Sequence, residues 1–234
     1  PRTPKVAAIE AAPAEPALLD SVPLPRENQA FVGHHEPVAL LKSAFDRTPP
    51  QAIILEGRPG IGKATLAFRV AKALVSGAVT DRFQPDPDDR NVRQVSAGTH
   101  PSVLHLTRAY DDKTKRFKAD LSVDTVRRLV PFLGSTAAGG GARVVIVDAV
   151  DDMNLSAANA LLKSLEEPPS RTLFILIAHV AGRVLPTIRS RCQTVRLQPL
   201  SDAEVAEALH SMEADEGLAE AGEGSVRRAL ALAG

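Results

Sequence analysis

The run Gly57-Arg58-Pro59-Gly60-Ile61-Gly62-Lys63-Ala64-Thr65 has the spacing Gly-x-x-x-x-Gly-Lys of a phosphate-binding loop. Glycines let successive backbone N–H groups turn toward phosphate oxygens. A helix starting at Lys63 would add the positive end of its dipole, and Lys63 a mobile cation. The plainer reading is a glycine-rich turn with an exposed lysine; the strand expected before the run and the helix after it favour the loop. The next position departs from the pattern. Ala64 stands where a Ser or Thr hydroxyl would ligate Mg²⁺. Thr65 lies roughly 100° further round the helix and aims elsewhere. On a second strand, Asp148 closes an apolar run and sits where a magnesium-organising carboxylate belongs. The following position, where a water-activating Glu would stand, is Ala149, and Asp151 and Asp152 come too late to replace it. Two catalytic oxygens are missing from one site.

These residues need elements to hold them. Ala52-Ile53-Ile54-Leu55 reads as a buried parallel strand running into the loop. Leu66, Val70 and Leu74 form the inward face of the helix that follows, and Gly77 stops it. Upstream, Val38, Leu41 and Phe45 recur at helical spacing from near Glu36. Residues 80–100 are polar and read as a surface excursion. Val103 to Leu106 is a strand, and residues 122–133 form one amphipathic helix capped by Ser122. Gly139-Gly140-Gly141 makes a loop before the strand Val144–Asp148. Ala158, Leu161, Leu162 and Leu165 mark a helix ended by Pro168-Pro169, and Leu173–Ala178 and Thr194–Leu197 are further strands. After Pro199 short helices begin at a capping box, Ser201 with Glu204. Strands alternating with helices predict an α/β fold: a parallel sheet flanked by helices on both faces, followed by a small helical domain. The expected divisions are a Pro/Ala-rich tail over 1–24, a P-loop domain over 25–198 and a helical part over 199–234.

The chain has 234 residues, 28 Lys+Arg against 28 Asp+Glu, and one Cys. The charge balance excludes a surface basic all over, and one thiol excludes a disulfide framework or a four-thiolate zinc module. No apolar run approaches the roughly 20 residues a membrane helix needs. These features predict a cytoplasmic protein. The chain opens on Pro1 rather than Met, so it is read as a piece of a longer one.

Four segments together resemble one family. They are Gly57–Thr65, Val144–Asp148, Ala157-Ala158-Asn159-Ala160-Leu161-Leu162-Lys163-Ser164-Leu165-Glu166-Glu167-Pro168-Pro169 and Ile188-Arg189-Ser190-Arg191-Cys192. Their order and spacing resemble the AAA+ clamp-loader subunits, nearest the delta-prime family of bacterial DNA polymerase III, over roughly residues 25 to 234. The resemblance implies a P-loop AAA+ ATPase-like domain with a helical lid. It implies that Arg191 reaches into the ATP site of a neighbouring subunit, a role suited to a planar, permanently charged guanidinium. An Arg paired with a nearby carboxylate is the plainer alternative. Gly224-Ser225-Val226-Arg227 resembles the lid motif whose Arg lies over the subunit's own phosphates, although the adjacent Arg228 also fits an ordinary helix surface. Val32 and Gly33 resemble the segment passing the adenine. Ala178 or His179 occupies the place of the third-strand polar residue, and His179 is read as an ordinary strand-end histidine. Cys192 belongs to the motif's packing and is not a nucleophile.

The implied partners are the gamma/tau and delta clamp-loader subunits and, through the complex, the sliding clamp and primer–template DNA. No membrane partner is implied. The family's four-cysteine zinc module has no counterpart in residues 78–100, so no zinc is expected, and the family's C-terminal collar domain is absent from these residues. The leading expectation is a subunit that hydrolyses ATP poorly or not at all and donates Arg191 to a neighbour. Lys63 and the loop amides leave ATP or ADP binding open. The alternatives are an active AAA+ ATPase of gamma/tau type, favoured by Lys63 and Asp148, and a P-loop protein of another class such as a nucleotide kinase. Lys113, Lys115, Arg116 and Lys118 form a basic cluster suited to a phosphate backbone, but beside Asp111 and Asp112 it reads equally as a solvated loop.

Overall fold

The computed structural model describes residues 23–111, 116–135 and 141–233. Most of the expected tail, Gly139, Gly140, Asp112, Lys113 and Lys115 lie outside the described residues.

Among the described residues, strands β1 (Ala52–Glu56), β2 (Val103–Leu106), β5 (Arg143–Asp148), β6 (Thr172–Ala178) and β7 (Gln193–Arg196) form one sheet. Its order is β2-β5-β6-β1-β7 and every pairing is parallel. A parallel sheet has both faces covered, which is why β1, β5 and β6 read as unbroken apolar runs. Successive side chains alternate between the faces. Ile53, Leu55, Val144, Ile146, Ile175 and Ile177 pack with helices α1 (His35–Arg47) and α2 (Lys63–Ser76). Ile54, Val145, Val147, Phe174 and Leu176 pack on the other face, against α4 (Val123–Arg127), α5 (Leu129–Gly134), α6 (Leu155–Glu166) and α7 (Pro186–Arg189).

Helix boundaries follow local chemistry. Asn154 Oδ1 accepts the Ala157 N–H at 2.9 Å to start α6. Gly77, left-handed at φ 74°, closes α2 by donating to the carbonyls of Ala73 and Leu74. The capping box opens α8 (Asp202–Ser211): Ser201 Oγ accepts from Glu204 N, and Glu204 Oε2 accepts from Ser201 N. Helices α8 and α9 (Val226–Ala233) enclose a third apolar cluster built on Leu200, Val205, Leu209, Ala229 and Leu230.

Two expectations need correction. Residues 80–100 are not merely a surface excursion. Asp89 caps a helix, α3 (Arg90–Ser96), that packs on α2, and Phe83 is buried edge-on to Phe45 at 5.4 Å. Residues 122–133 form two short helices rather than one. Pro131 has no N–H for the Arg127 carbonyl, so the ladder breaks at Arg128, and Ser122 makes no side-chain bond to the helix backbone. A two-residue antiparallel pair, β3 (Tyr110–Asp111) with β4 (Arg116–Phe117), precedes them, too short to leave a periodic signal.

Leu161 is fully buried beneath the sheet. Leu161→Ala should lower unfolding free energy by about 2–5 kcal/mol in urea denaturation with an unchanged m value. A loss below ~0.5 kcal/mol, the level of a surface change, would contradict the packing of α6.

Candidate nucleotide pocket and surface arginine

The phosphate loop leaves the end of β1 and returns into α2. Gly57, Gly60 and Gly62 take φ of 150°, 79° and 98°, values L side chains rarely adopt. A Cβ on Gly60 would overlap Ser225 Oγ and come within 2.9 Å of Arg227 Cβ. The Gly224-Ser225-Val226-Arg227 turn therefore packs directly on the loop. Arg227 and Arg228 line a cleft of about 290 Å³ together with Arg58, Pro59 and Ile61. Arg228 also pairs with Glu223 at 2.6 Å.

Lys63 is 3% exposed, and its ammonium donates to the carbonyls of Gly57 and Arg58, each at 2.6 Å. It is a held cation rather than a swinging one. Burial pulls its pKa down to about 8, with Asp148 and Asp151 pulling the other way. Loop lysine and strand acid thus share one field. Ala64 is half-buried and supplies no oxygen; Thr65 is buried one position on.

Asp148 ends β5 between two imidazoles, with His105 Nε2 4.0 Å and His179 Nε2 3.9 Å from its carboxylate oxygens. Burial, then Arg26 and Arg128, lower His105 to about 4, so it is neutral at physiological pH. Ala149 is buried. Asp151 serves the backbone instead. Its carboxylate accepts the N–H groups of His179 at 3.0 Å and Val180 at 2.8 Å, tying the end of β6 down. Asp152 pairs with Arg108 at 3.8 Å. The donor set fits phosphate, through Lys63 and the loop amides. It is short of a magnesium ligand at residue 64.

Val32 is half-buried beside the loop, in a segment pinned by groups that carry no motif in the sequence. Arg69 donates to the Gln29 carbonyl at 3.0 Å and lies 5.4 Å over the Phe31 ring. Arg82 reaches the carbonyls of Phe31 and Gly33, each at 3.4 Å, and His34 Nε2 donates to the Ile61 carbonyl at 2.7 Å. Gly62 faces the same Phe31 ring.

Arg191 follows α7 and stands at the surface, its side chain 37% exposed. Its guanidinium donates to the Thr187 carbonyl at 2.8 Å and to Glu166 Oε1 at 2.7 Å. The carboxylate pairing weighed for this residue is therefore present, on the Glu166-Glu167-Pro168-Pro169 run. Cys192 is half-buried in the core, where burial raises its thiol to about 11, far from a thiolate nucleophile. Arg116 and Lys118 are exposed on and beside β4. Sequence reasoning also missed Glu56, buried at the end of β1, which accepts from Arg189 and from Arg196. An acid closing the run Ala52-Ile53-Ile54-Leu55 was the available signal, because a buried carboxylate needs partners.

The sheet order and the site define a P-loop protein of the AAA+ kind. The fold is shared with a Thermotoga maritima RuvB variant (TM-score 0.56, 16% identity, 90% of this chain and 64% of that one). It is shared too with a Thermotoga maritima DNA polymerase III gamma subunit-related protein (TM-score 0.51, 22% identity, 82% and 59%). The chain belongs to the family described as DNA polymerase III, delta subunit, whose model matches residues 33–201. It is 41% identical over 147 residues to DNA polymerase III subunit delta' of Pseudomonas aeruginosa, covering 60% of this chain and 41% of the relative. The same subunit of Escherichia coli K12 is 35% identical over 153 residues (63% and 42%). The chain thus spans about two fifths of the length of these relatives. No helix among the described residues is long and apolar enough to cross a membrane.

The pocket geometry can be tested by stability. Gly60→Ala should cost about 1–3 kcal/mol for its left-handed backbone and its clash. Adding Ser225→Gly should restore part of that loss by relieving the clash; fully additive losses would contradict the loop–turn contact. Lys63 titrates near 8 folded and near 10.5 unfolded. Between those values the unfolded chain holds the extra proton, so stability rises with pH across this window. The unfolding free energy of the wild type should therefore gain on that of Lys63→Met from pH 8 to 10.5. A pH-independent difference would contradict a buried ammonium.

Proposed function

We propose that this chain is the AAA+ part of a clamp-loader subunit that helps load the sliding clamp onto primed DNA during replication, working in the cytoplasm beside gamma/tau and delta subunits. Its own pocket holds the phosphates of ATP or ADP weakly, through Lys63 and the amides of residues 57–63. It turns over little or no ATP, because residues 64 and 149 are alanines. Arg227 faces those phosphates from the lid and Val32 lies along the base. Residues 25–198 act as the ATPase-like unit and 199–234 as its lid.

The observation that carries the reading is Arg191. It is a part-exposed surface guanidinium held by Thr187 and Glu166, in a chain of the delta family whose own residues 64 and 149 are alanines. Docked against a neighbour's ATP, its planar fork would neutralise charge building on the γ-phosphoryl oxygens. Its departure from Glu166 costs little, since exposed ion pairs are worth about 0–1 kcal/mol.

The alternative, an active ATPase of gamma/tau type, draws on the presence of both Lys63 and Asp148, which share one electrostatic field. Steady-state turnover separates the two. The chain should show no hydrolysis above background and nucleotide binding that depends little on Mg²⁺ in calorimetry. Turnover abolished by Lys63→Ala would establish the alternative. In a reconstituted complex, Arg191→Ala should leave assembly and this subunit's stability within ~0.5 kcal/mol of wild type. It should depress the facing site, since arginine fingers are worth about 10³–10⁵ in rate. Arg191→Lys should not restore it. Clamp loading at the wild-type rate by Arg191→Ala would refute the donation.

A further inference from the structure

Helix α7 is a single turn, Pro186–Arg189, and a helix that short has no stability of its own. Whatever fixes it also fixes Arg191, because the Arg191 guanidinium bonds the Thr187 carbonyl and the Arg191 N–H bonds the Ile188 carbonyl at 3.1 Å. Besides the Arg191–Glu166 bond, two contacts set its placement. Ile188 is buried under the sheet, which sets the depth of the turn. Arg189 Nη2 donates to Glu56 Oε1, which sets its rotation.

Glu56 is the last residue of β1, and its side chain is only 5% exposed. Its second oxygen takes Arg196 Nε at 3.4 Å from the neighbouring strand β7, whose residue 196 is in register with residue 56. A carboxylate buried this far must be paired. Pairs of this kind add little stability over an apolar replacement, so orientation is the better account of them. The next residue, Gly57, offers its carbonyl to Lys63. One buried acid therefore joins the start of the phosphate loop to the turn that carries Arg191.

We infer that Arg189, clamped by Glu56, is a positioning residue for Arg191: it holds the α7 turn at the angle from which Arg191 reaches the neighbouring nucleotide. This inference rests on the proposed role of Arg191 in trans and extends it to a residue two positions away that touches no substrate.

The test uses the full-length subunit, reconstituted with its partner ATPase subunits, clamp and primed DNA. Arg189→Gln should assemble normally and lower kcat for stimulated ATP hydrolysis while leaving KM for ATP unchanged. The clamp-loading rate should fall about ten- to a hundredfold, the cost of an ångström-scale misplacement. Arg189→Lys keeps a charge on Glu56 but loses the fork; its loss should be intermediate, and it answers the question if the Gln variant melts early. In an Arg191→Ala background neither change should cost anything more, because Arg189 acts through Arg191. A defective Arg191→Ala with fully active Arg189 variants would overturn this inference alone. So would an Arg189 loss that persists undiminished without Arg191. A fully active Arg191→Ala would overturn the trans role itself.

Discussion

Strand β1 is sealed between β6 and β7 and covered on both faces, and the chemistry of this chain hangs from the point where it stops. All five of its residues are buried. Its end is pinned from both sides: Gly57 N–H donates to the Ala178 carbonyl at 3.3 Å, and Leu197 N–H donates to the Glu56 carbonyl at 2.8 Å. The phosphate loop therefore starts from a fixed place, and its glycines can take left-handed backbone without the whole segment drifting. The lysine that follows is drawn back onto the loop's first carbonyls, within the field of Asp148 and Asp151. A one-residue slip in β1 would turn Glu56 to the opposite face and undo both arrangements.

The two ends of the chain's chemistry differ in completeness. The pocket has its glycines, its lysine and its strand acid, but the alanines at 64 and 149 offer no side-chain oxygen. Asp151, which lies nearby, is spent on the backbone of residues 179 and 180. The surface element is fully bonded: a turn anchored by Ile188 and Arg189 ends in a guanidinium held by Thr187 and Glu166. On the proposed reading, such a chain contributes geometry to a neighbour's chemistry more than it performs its own.

The sheet was legible in the sequence because every central strand is buried on two faces and so reads as an apolar run. Helix α6 was legible through Leu161, Leu165 and the proline pair, and α8 through its capping box. Other features carried no local signal. The break at Arg128 follows from the missing N–H of Pro131 three residues later. Phe83 sits in a stretch dominated by Asp and Pro, and only its tertiary contact with Phe45 marks it as core. Arg69 and Arg82 bond backbone carbonyls 40 to 51 residues away, a pairing no sequence period encodes. The lid's contact on Gly60 and the Glu56–Arg189 pair are likewise matters of fold. Gly60, Ser225 and Arg189 stood in quoted motifs, but their contacts, and Glu56 itself, did not show in the sequence.

The most direct test of whether Arg191 works in a neighbour's site is a structure of the assembled complex trapped with a γ-phosphate analogue. The Arg191 guanidinium should then have left Glu166 and lie about 2.7–2.9 Å from oxygens of the neighbour's γ-phosphoryl group. An Arg191 still bonded to Glu166 and remote from that nucleotide, in a complex competent to load clamps, would contradict a role in trans.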